Sequence, residues 1–267
     1  MKFKNTRIFN FEGALRGMRN PKESWAKSDS RFGLDSIEGF DVVQKEFIVD
    51  CDLPQDEKTS EYFKNNGIIY QDFDILEYAL IGPKDMELAQ KLIKGGPEHR
   101  KFMRQIFVSV DITAPMFWFS EFDTYKVGTV ANSTSKMHTI TNKEISTECF
   151  ELDDVSEVAD IDKKFNPATI INYCNMLREK YLKTNDKRYW KELIRWLPES
   201  WLQTRTVTLT YENLLAMCGK GQRRFHKLNE WSGRDNSTLP NFISWARTLP
   251  YAQELIFIDE LEKSVDE

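Results

Sequence analysis

With 267 residues, 40% of them hydrophobic and 30% charged, the chain has enough apolar mass for one large domain or two small ones, and too much for a disordered segment. Its formal net charge of −5 provides no global basic field to recruit nucleic acid or an anionic membrane, so an anionic ligand would need a local basic site. No window approaches the apolar run that spans a bilayer, and the opening MKFKNTRIFNFEG lacks the apolar core of a signal peptide, so a cytoplasmic protein is expected.

From the N-terminus, Gly17 to Ser30 is polar and turn-rich and reads as a loop. Asp41 to Asp50 (DVVQKEFIVD) is β-branched and aromatic, the composition of a strand. Asp85 to Gly96 places Met86, Leu88, Ala89, Leu92 and Ile93 at helical spacing behind Gly82-Pro83 and stops at Gly95-Gly96, which predicts a short helix. Gln105 to Pro115 alternates Ile106, Val108 and Val110 with Phe107, Ser109 and Asp111, as a strand does. Pro115 then suits the first turn of a helix through MFWFSEFDTYK.

Asn166-Pro167 supplies an N-cap and a first-turn proline, and Ile170, Cys174, Leu177 and Tyr181 mark an apolar helical face behind it. Lys187 to Pro198 is a second helix, ended by its proline. TVTLTYENLLAMC reads as a third, and a fourth is expected after Gly219 and Gly221. The C-terminal stretch is helical with a break at Pro250. Sheet and helix are thus segregated. The expected fold is α+β, a mostly antiparallel sheet flanked by helices with a helix-rich C-terminal half, in one domain over 1–267. Pro54 to Ser60 and the acidic Thr141 to Asp162 are candidate insertions.

Cys51, Cys149, Cys174 and Cys218 form no CxxC pair, which points to free thiols in a reducing compartment. His99, His138 and His226 are far apart and show no metal-ligand spacing, so no metal centre is expected. Two clusters have the chemistry to hold an anion. The first, EFDTYKVGTVANSTSKMH, contains Tyr125, Lys126, Thr129, Asn132, Ser133, Ser135 and Lys136. Its hydroxyls and amides can donate to phosphate oxygens, and its lysines can neutralise them. The plainer reading is a solvated turn after a helix. The second, GQRRFHKLNEW, contains Arg223, Arg224, His226 and Glu230. If helical, it places His226 and Glu230 on one face, with a solvated face as the plainer reading. Arg195, on a helix of bulky residues, either snorkels to solvent or joins a site. Cys218, near these cations, is the nearest candidate for a thiol nucleophile.

The order of these pieces resembles the flavin-dependent thymidylate synthases. In that family a helix ending in Lys-x-Gly leads to a strand, an Ala-Pro, a helix and the signature R-H-R-x-x-S-x-N-E-x-S-x-R. Here LIKGG, FMRQIFVSVDITAPMF and EFDTYKVGTVANSTSKMH follow in that order. Thr124, Tyr125 and Lys126 stand where the family has Arg-His-Arg, Thr129 stands at the first Ser, and Ser133 replaces the Glu. Met103, beside Arg104, stands where a glutamate precedes the strand. Downstream, Arg195 precedes Leu197-Pro198, a Thr-rich stretch follows, and Arg223 or Arg224 leads into HKLNE.

The resemblance implies the thymidylate synthase-complementing-protein fold and a homotetramer that methylates dUMP to dTMP. FAD would be the cofactor, with methylenetetrahydrofolate and NADPH as co-substrates. It implies that Ser133, Ser135, Lys136 and Arg195 hold the phosphate and sugar of the pyrimidine nucleotide. Arg223 or Arg224 would polarise the uracil carbonyl. Arg104, Tyr125, Lys126, Thr129, Asn132, His226 and Glu230 would contact FAD. The replaced Arg-His-Arg keeps a second reading open: a non-catalytic nucleotide-binding protein on the same fold that has lost flavin. An unrelated α+β scaffold is a third.

Overall fold

The computed structural model describes residues 1–34, 46–49, 68–71, 75–152, 166–219 and 223–261. The strands are β1 (Lys2–Phe9), β2 (Arg31–Leu34), β3 (Glu46–Val49), β4 (Ile68–Gln71), β5 (Ile75–Leu80), β6 (Phe107–Pro115), β7 (Val130–Ser133) and β8 (Leu202–Thr210). The helices are α1 (Phe11–Arg19), α2 (Pro83–Lys94), α3 (Met116–Tyr125), α4 (Lys136–Thr139), α5 (Pro167–Thr184), α6 (Lys187–Trp196), α7 (Tyr211–Cys218), α8 (Asn229–Ser232), α9 (Phe242–Arg247), α10 (Ala252–Leu255) and α11 (Ile258–Leu261). The fold is α+β with a mostly antiparallel sheet and a helix-rich C-terminal half, as the sequence predicts. No helix among the described residues is long and apolar enough to cross a membrane.

The chain divides into two compact units. The larger comprises Lys2–Ile112, Thr124–Ala131 and Thr206–Glu267; the smaller comprises Met1, Thr113–Asp123 and Asn132–Arg205. β6, β7 and β8 contribute residues to both ranges; the strand order is β3-β1-β6-β8-β7. The larger unit also holds the sheet β2-β5-β4, with Arg31 opposite Leu80 and Ile69 opposite Glu77 in antiparallel register.

In the larger unit, the period-two pattern of β6 buries Val108, Val110 and Ile112 while Phe107 faces out. α1 follows β1 directly and buries Phe11, Ala14, Leu15 and Met18 at helical spacing. Phe11 meets Tyr211 edge-on, with ring centroids 5.4 Å apart, and the buried Tyr211 hydroxyl donates to the Pro250 carbonyl at 2.7 Å. α2 starts at Pro83, whose missing N–H costs nothing in a first turn. Its buried Asp85 is enclosed: Oδ1 accepts from Arg19 Nε at 2.6 Å, and Oδ2 accepts from the hydroxyls of Ser28 and Ser30 at 2.5 Å each. Asp29 caps the same helix, accepting from the backbone of Lys84 and Asp85.

The smaller unit has its own core. Ile140, Ile145, Phe150, Ile171, Cys174, Leu177 and Leu193 pack together, and the hairpin of α5 and α6 supplies most of them. Asn166 caps α5 by accepting from Ala168 N at 2.9 Å, and Asp186 does the same for α6 from Arg188 N. In α3, Trp118 stacks on Phe122 with centroids 5.1 Å apart.

Several expectations change. Gly17 to Ser30 is not all loop: α1 extends to Arg19, and two 3-10 turns, Asn20–Lys22 and Trp25–Lys27, follow it. TVTLT is not helical but forms the end of β8, burying Val207 and Leu209 in alternation with exposed Thr206 and Thr208, as β-branched alternation favours. The helix begins only at Tyr211, where Thr210 and Asn213 form a reciprocal capping box. His226 lies outside any helix, because residues 223–225 form a turn and α8 begins at Asn229. His226 and Glu230 therefore do not share a helical face. Of the strand expected over Asp41 to Asp50, Glu46–Val49 is β3 and the rest lies outside the described residues. So do Pro54 to Ser60 and residues 153–162 of the expected insertion, while Thr147–Cys149 is a 3-10 turn.

Candidate functional site

The signature-like stretch enters the larger unit at the end of α3. Lys126 to Thr129 closes a turn: Thr129 N–H donates to the Lys126 carbonyl at 3.0 Å, and its hydroxyl donates to the same oxygen at 2.9 Å. Gly128, with φ at +77°, takes the left-handed position that a side chain would strain. Asn213 of α7 ties this turn down by donating to the Val127 carbonyl at 2.6 Å.

Tyr125 stands beside the turn. The Arg223 guanidinium lies over its ring, 4.3 Å from the centroid, and Trp231 meets it edge-on at 5.5 Å. Trp231 is fully buried and also stacks at a tilt against His226, at 5.4 Å. The His226 Nδ1 accepts from Leu228 N–H at 3.1 Å. Tyr125 thus shares one cluster in the larger unit with Arg223 and His226, far from it in sequence, and the turn carrying Lys126 and Thr129 adjoins it.

Two adjacent arginines occupy opposite environments. Arg223 is exposed, and its Nη1 donates to the Ala216 carbonyl at 2.8 Å. Arg224 is buried, and its guanidinium bonds the Cys218 carbonyl, Asp259 and Glu260. Burial pushes the Cys218 thiol far above its ordinary value despite nearby Arg224 and Arg247, which removes it as a nucleophile. Arg104 is held by Glu212, which it contacts through Nε and Nη2, and by the Pro97 carbonyl. Glu230 lies in α8, one residue before Trp231.

The remaining candidates belong to the smaller unit. Asn132 and Ser133 are exposed on β7. Ser135 precedes α4, its carbonyl accepting from Thr139, and Lys136 opens that helix. Arg195, near the end of α6, is exposed and paired with Glu192 at 3.0 Å. The Glu192 carboxyl is held below its ordinary range by the Trp196 indole and then by Arg195.

Sequence reasoning did not single out three other residues. Trp231 organises the aromatic cluster, Asp259 holds Arg224, and Arg205 acts beside the signature stretch in the smaller unit. Arg205 donates to Asp123 at 2.9 Å and to Gln203 at 3.0 Å while lying 3.9 Å over Phe119, and Gln203 donates to the Thr134 carbonyl at 2.9 Å. The Arg205–Gln203 spacing on β8 was the available signal, just before the stretch read as helix.

The solved structures that resemble the chain are of flavin-dependent thymidylate synthases and of a nucleotide methylase, all under 15% identical and at TM-scores under 0.5. Similar solved structures include a thymidylate synthase X from Helicobacter pylori with FAD and dUMP, at 13% identity and a TM-score of 0.45, covering 81% of this chain and 82% of that one. A second Helicobacter pylori ThyX structure, also with FAD and dUMP, covers 94% of this chain and 98% of that one at 14% identity and a TM-score of 0.49. The UMP/dUMP methylase PolB from Streptomyces cacaoi, bound with 5-Br UMP, covers 51% of this chain and 64% of that one at 12% identity and a TM-score of 0.37. No family model matches the chain, and no curated protein does.

Proposed function

We propose that the chain is a pyrimidine-nucleotide-modifying enzyme of the flavin-dependent thymidylate synthase type, methylating dUMP to dTMP. It would use FAD, with methylenetetrahydrofolate and NADPH as co-substrates, and would act as a cytoplasmic homotetramer in one functional domain. The observation that carries this reading is the contact between Arg223 and Tyr125. These residues come from two separate segments of the sequence resemblance, and they meet as a cation on an aromatic ring.

On this reading Arg223 donates to the uracil carbonyl oxygen and stabilises the negative charge that develops as carbon 5 is activated. Among the described residues it is exposed and bonds one backbone carbonyl, which leaves donors for that task, whereas the Arg224 guanidinium is committed to carboxylates. Ser133, Ser135, Lys136 and Arg195 are proposed to bind phosphate and sugar. For the flavin, the chemistry of the donor set fits: Lys126 is an exposed cation suited to a diphosphate, and Thr129, Asn132 and His226 carry polar groups suited to the ring and ribityl chain. Arg104, Tyr125 and Glu230 complete the proposed flavin contacts. Flavin, when bound, supplies the redox chemistry; the protein binds, orients and polarises.

Thr124-Tyr125-Lys126, standing where the family has Arg-His-Arg, favours the second reading of a nucleotide-binding protein without flavin. One experiment separates the two. The purified protein is examined for a flavin spectrum and titrated with dUMP, then with NADPH. The enzyme reading expects bound flavin, a spectral change on dUMP addition and bleaching by NADPH. Saturable dUMP binding with no flavin, even after incubation with FAD, supports the second reading. Neither flavin nor dUMP binding overturns both.

A further inference from the structure

The turn that carries Arg223 is short, and among the described residues its own backbone bond is His226 N–H to the Arg223 carbonyl, at 3.2 Å. Its position must be set by something else. The last carbonyls of α7 lack partners within the helix, and two of them receive the adjacent arginines: Ala216 takes Arg223 and Cys218 takes Arg224 Nε, each at 2.8 Å. That pairing alone does not determine which arginine faces outward, because a one-residue slip would exchange them.

The last described helix removes the ambiguity. Both carboxylate oxygens of Asp259 bond Arg224, from Nη1 at 3.0 Å and from Nη2 at 2.5 Å, and Glu260 Oε1 accepts from Nη1 at 2.7 Å. A two-pronged carboxylate–guanidinium pair fixes direction as well as distance. Arg247 balances the second carboxylate, bonding both oxygens of Glu260 at 2.8 and 2.7 Å, and lies over Phe257 at 4.0 Å, while Arg224 lies 5.2 Å from the same ring. Two cations and two anions thus close a neutral cluster around one aromatic ring. Only Arg224 fits into it, and Arg223 is left over Tyr125.

We infer that Asp259 and Glu260, acting through Arg224, are positioning residues that set Arg223 over Tyr125 and so control nucleotide binding from the C-terminal helix α11. The clamp stands on its own geometry; its effect on binding rests on the function proposed above.

The test is a double-mutant cycle on the full chain, with dUMP affinity measured by calorimetry for the wild type, Arg223→Ala, Asp259→Asn and the double variant. Asp259→Asn is nearly isosteric, and the hydrogen bonds described for Asp259 go to Arg224. It is expected to weaken dUMP binding about tenfold on its own and to add nothing in the Arg223→Ala background, as coupled residues behave. Equal weakening in both backgrounds overturns the inference, because the effect would not then pass through Arg223. A second arm needs no ligand. Limited trypsin digestion, read by mass spectrometry, follows cleavage of the Arg224–Phe225 bond. Asp259→Asn and, independently, Glu260→Gln are expected to speed that cleavage at least several-fold; unchanged resistance in both overturns the clamp. If the wild type binds no dUMP, the proposed function fails while the digestion still decides the clamp.

Discussion

Arg19 and Arg223 both lie in the larger unit, and their surroundings differ in kind. Arg19 is 5% exposed and faces Asp85, whose two oxygens are filled by one guanidinium, two hydroxyls and a backbone N–H. Arg223 is exposed, rests on the face of an aromatic ring and gives one donor to a helix-end carbonyl. The first arrangement is closed: every group there is answered by the fold, so its purpose is to join α1, the Ser28–Ser30 segment and α2. Among the described residues, the second is held by one backbone carbonyl and one ring, and the remaining donors of the guanidinium face outward for something that arrives. The contrast separates architectural charge from chemical charge, and mutation should divide them the same way.

The largest effect is expected at the closed site. Asp85→Ala strands a buried guanidinium and should cost about 3–5 kcal/mol of stability, the range for removing one partner of a buried pair. Chemical denaturation measures it, and a loss under about 1 kcal/mol would put Arg19–Asp85 in the same class as a surface pair. The same site predicts an acid limit. Burial pushes the Asp85 carboxyl up, but Ser28, Ser30 and Arg19 together outweigh it and hold the group below its ordinary value of 3.8. A carboxyl depressed in the folded state contributes stability that is present above pH 3.8 and lost as pH falls through its folded value. Denaturation midpoints should therefore drop below that pH in the wild type and flatten in Asp85→Asn. Arg223→Ala should reverse the profile of Asp85→Ala. It should lose under about 1 kcal/mol of stability but about 10²-fold in turnover of dUMP, the loss typical of a deleted charge-stabilising donor. Equal loss of stability and turnover at both sites would erase the distinction.

The closed site was half legible in the sequence. Gly82-Pro83 and Gly95-Gly96 marked the ends of α2, and Asp85 fell near its start, but nothing local said that Ser28 and Arg19 would meet it. α1 itself went unread because Gly13 and Gly17 weaken a helical pattern that Phe11, Ala14, Leu15 and Met18 otherwise carry. The open site was legible only through the order of motifs. Tyr125 and Arg223 are nearly a hundred residues apart, and a contact at that separation leaves no trace in periodicity. The helical reading of TVTLTYENLL failed because a strand and a helix are fused without a loop: period two gives way to the helical period at the Thr210 capping box. That error carried forward, since treating the region as helical made a helix through His226 look natural as well. Asp259 gave no signal at all, because an acidic residue near a C-terminus usually reads as solvated surface.

The capping box gives the smallest and most discriminating test of the comparison. α7 has two functional ends. At its start, Thr210 Oγ1 accepts from Asn213 N–H at 3.3 Å while Asn213 Oδ1 accepts from Thr210 N–H at 2.9 Å. At its finish, the Ala216 and Cys218 carbonyls hold the two arginines. Thr210→Ala removes a cap and should cost about 1 kcal/mol of stability. If the helix is a rigid support, that loss stays at its own end, and dUMP affinity remains that of the wild type. Asn213 makes the expectation demanding, because its other amide atom donates to Val127 in the turn beside Tyr125. A loss of dUMP affinity in Thr210→Ala approaching that of Arg223→Ala would mean that strain travels from the cap through Asn213 to the turn. The open site would then be braced from both ends of α7 rather than from its C-terminal carbonyls alone.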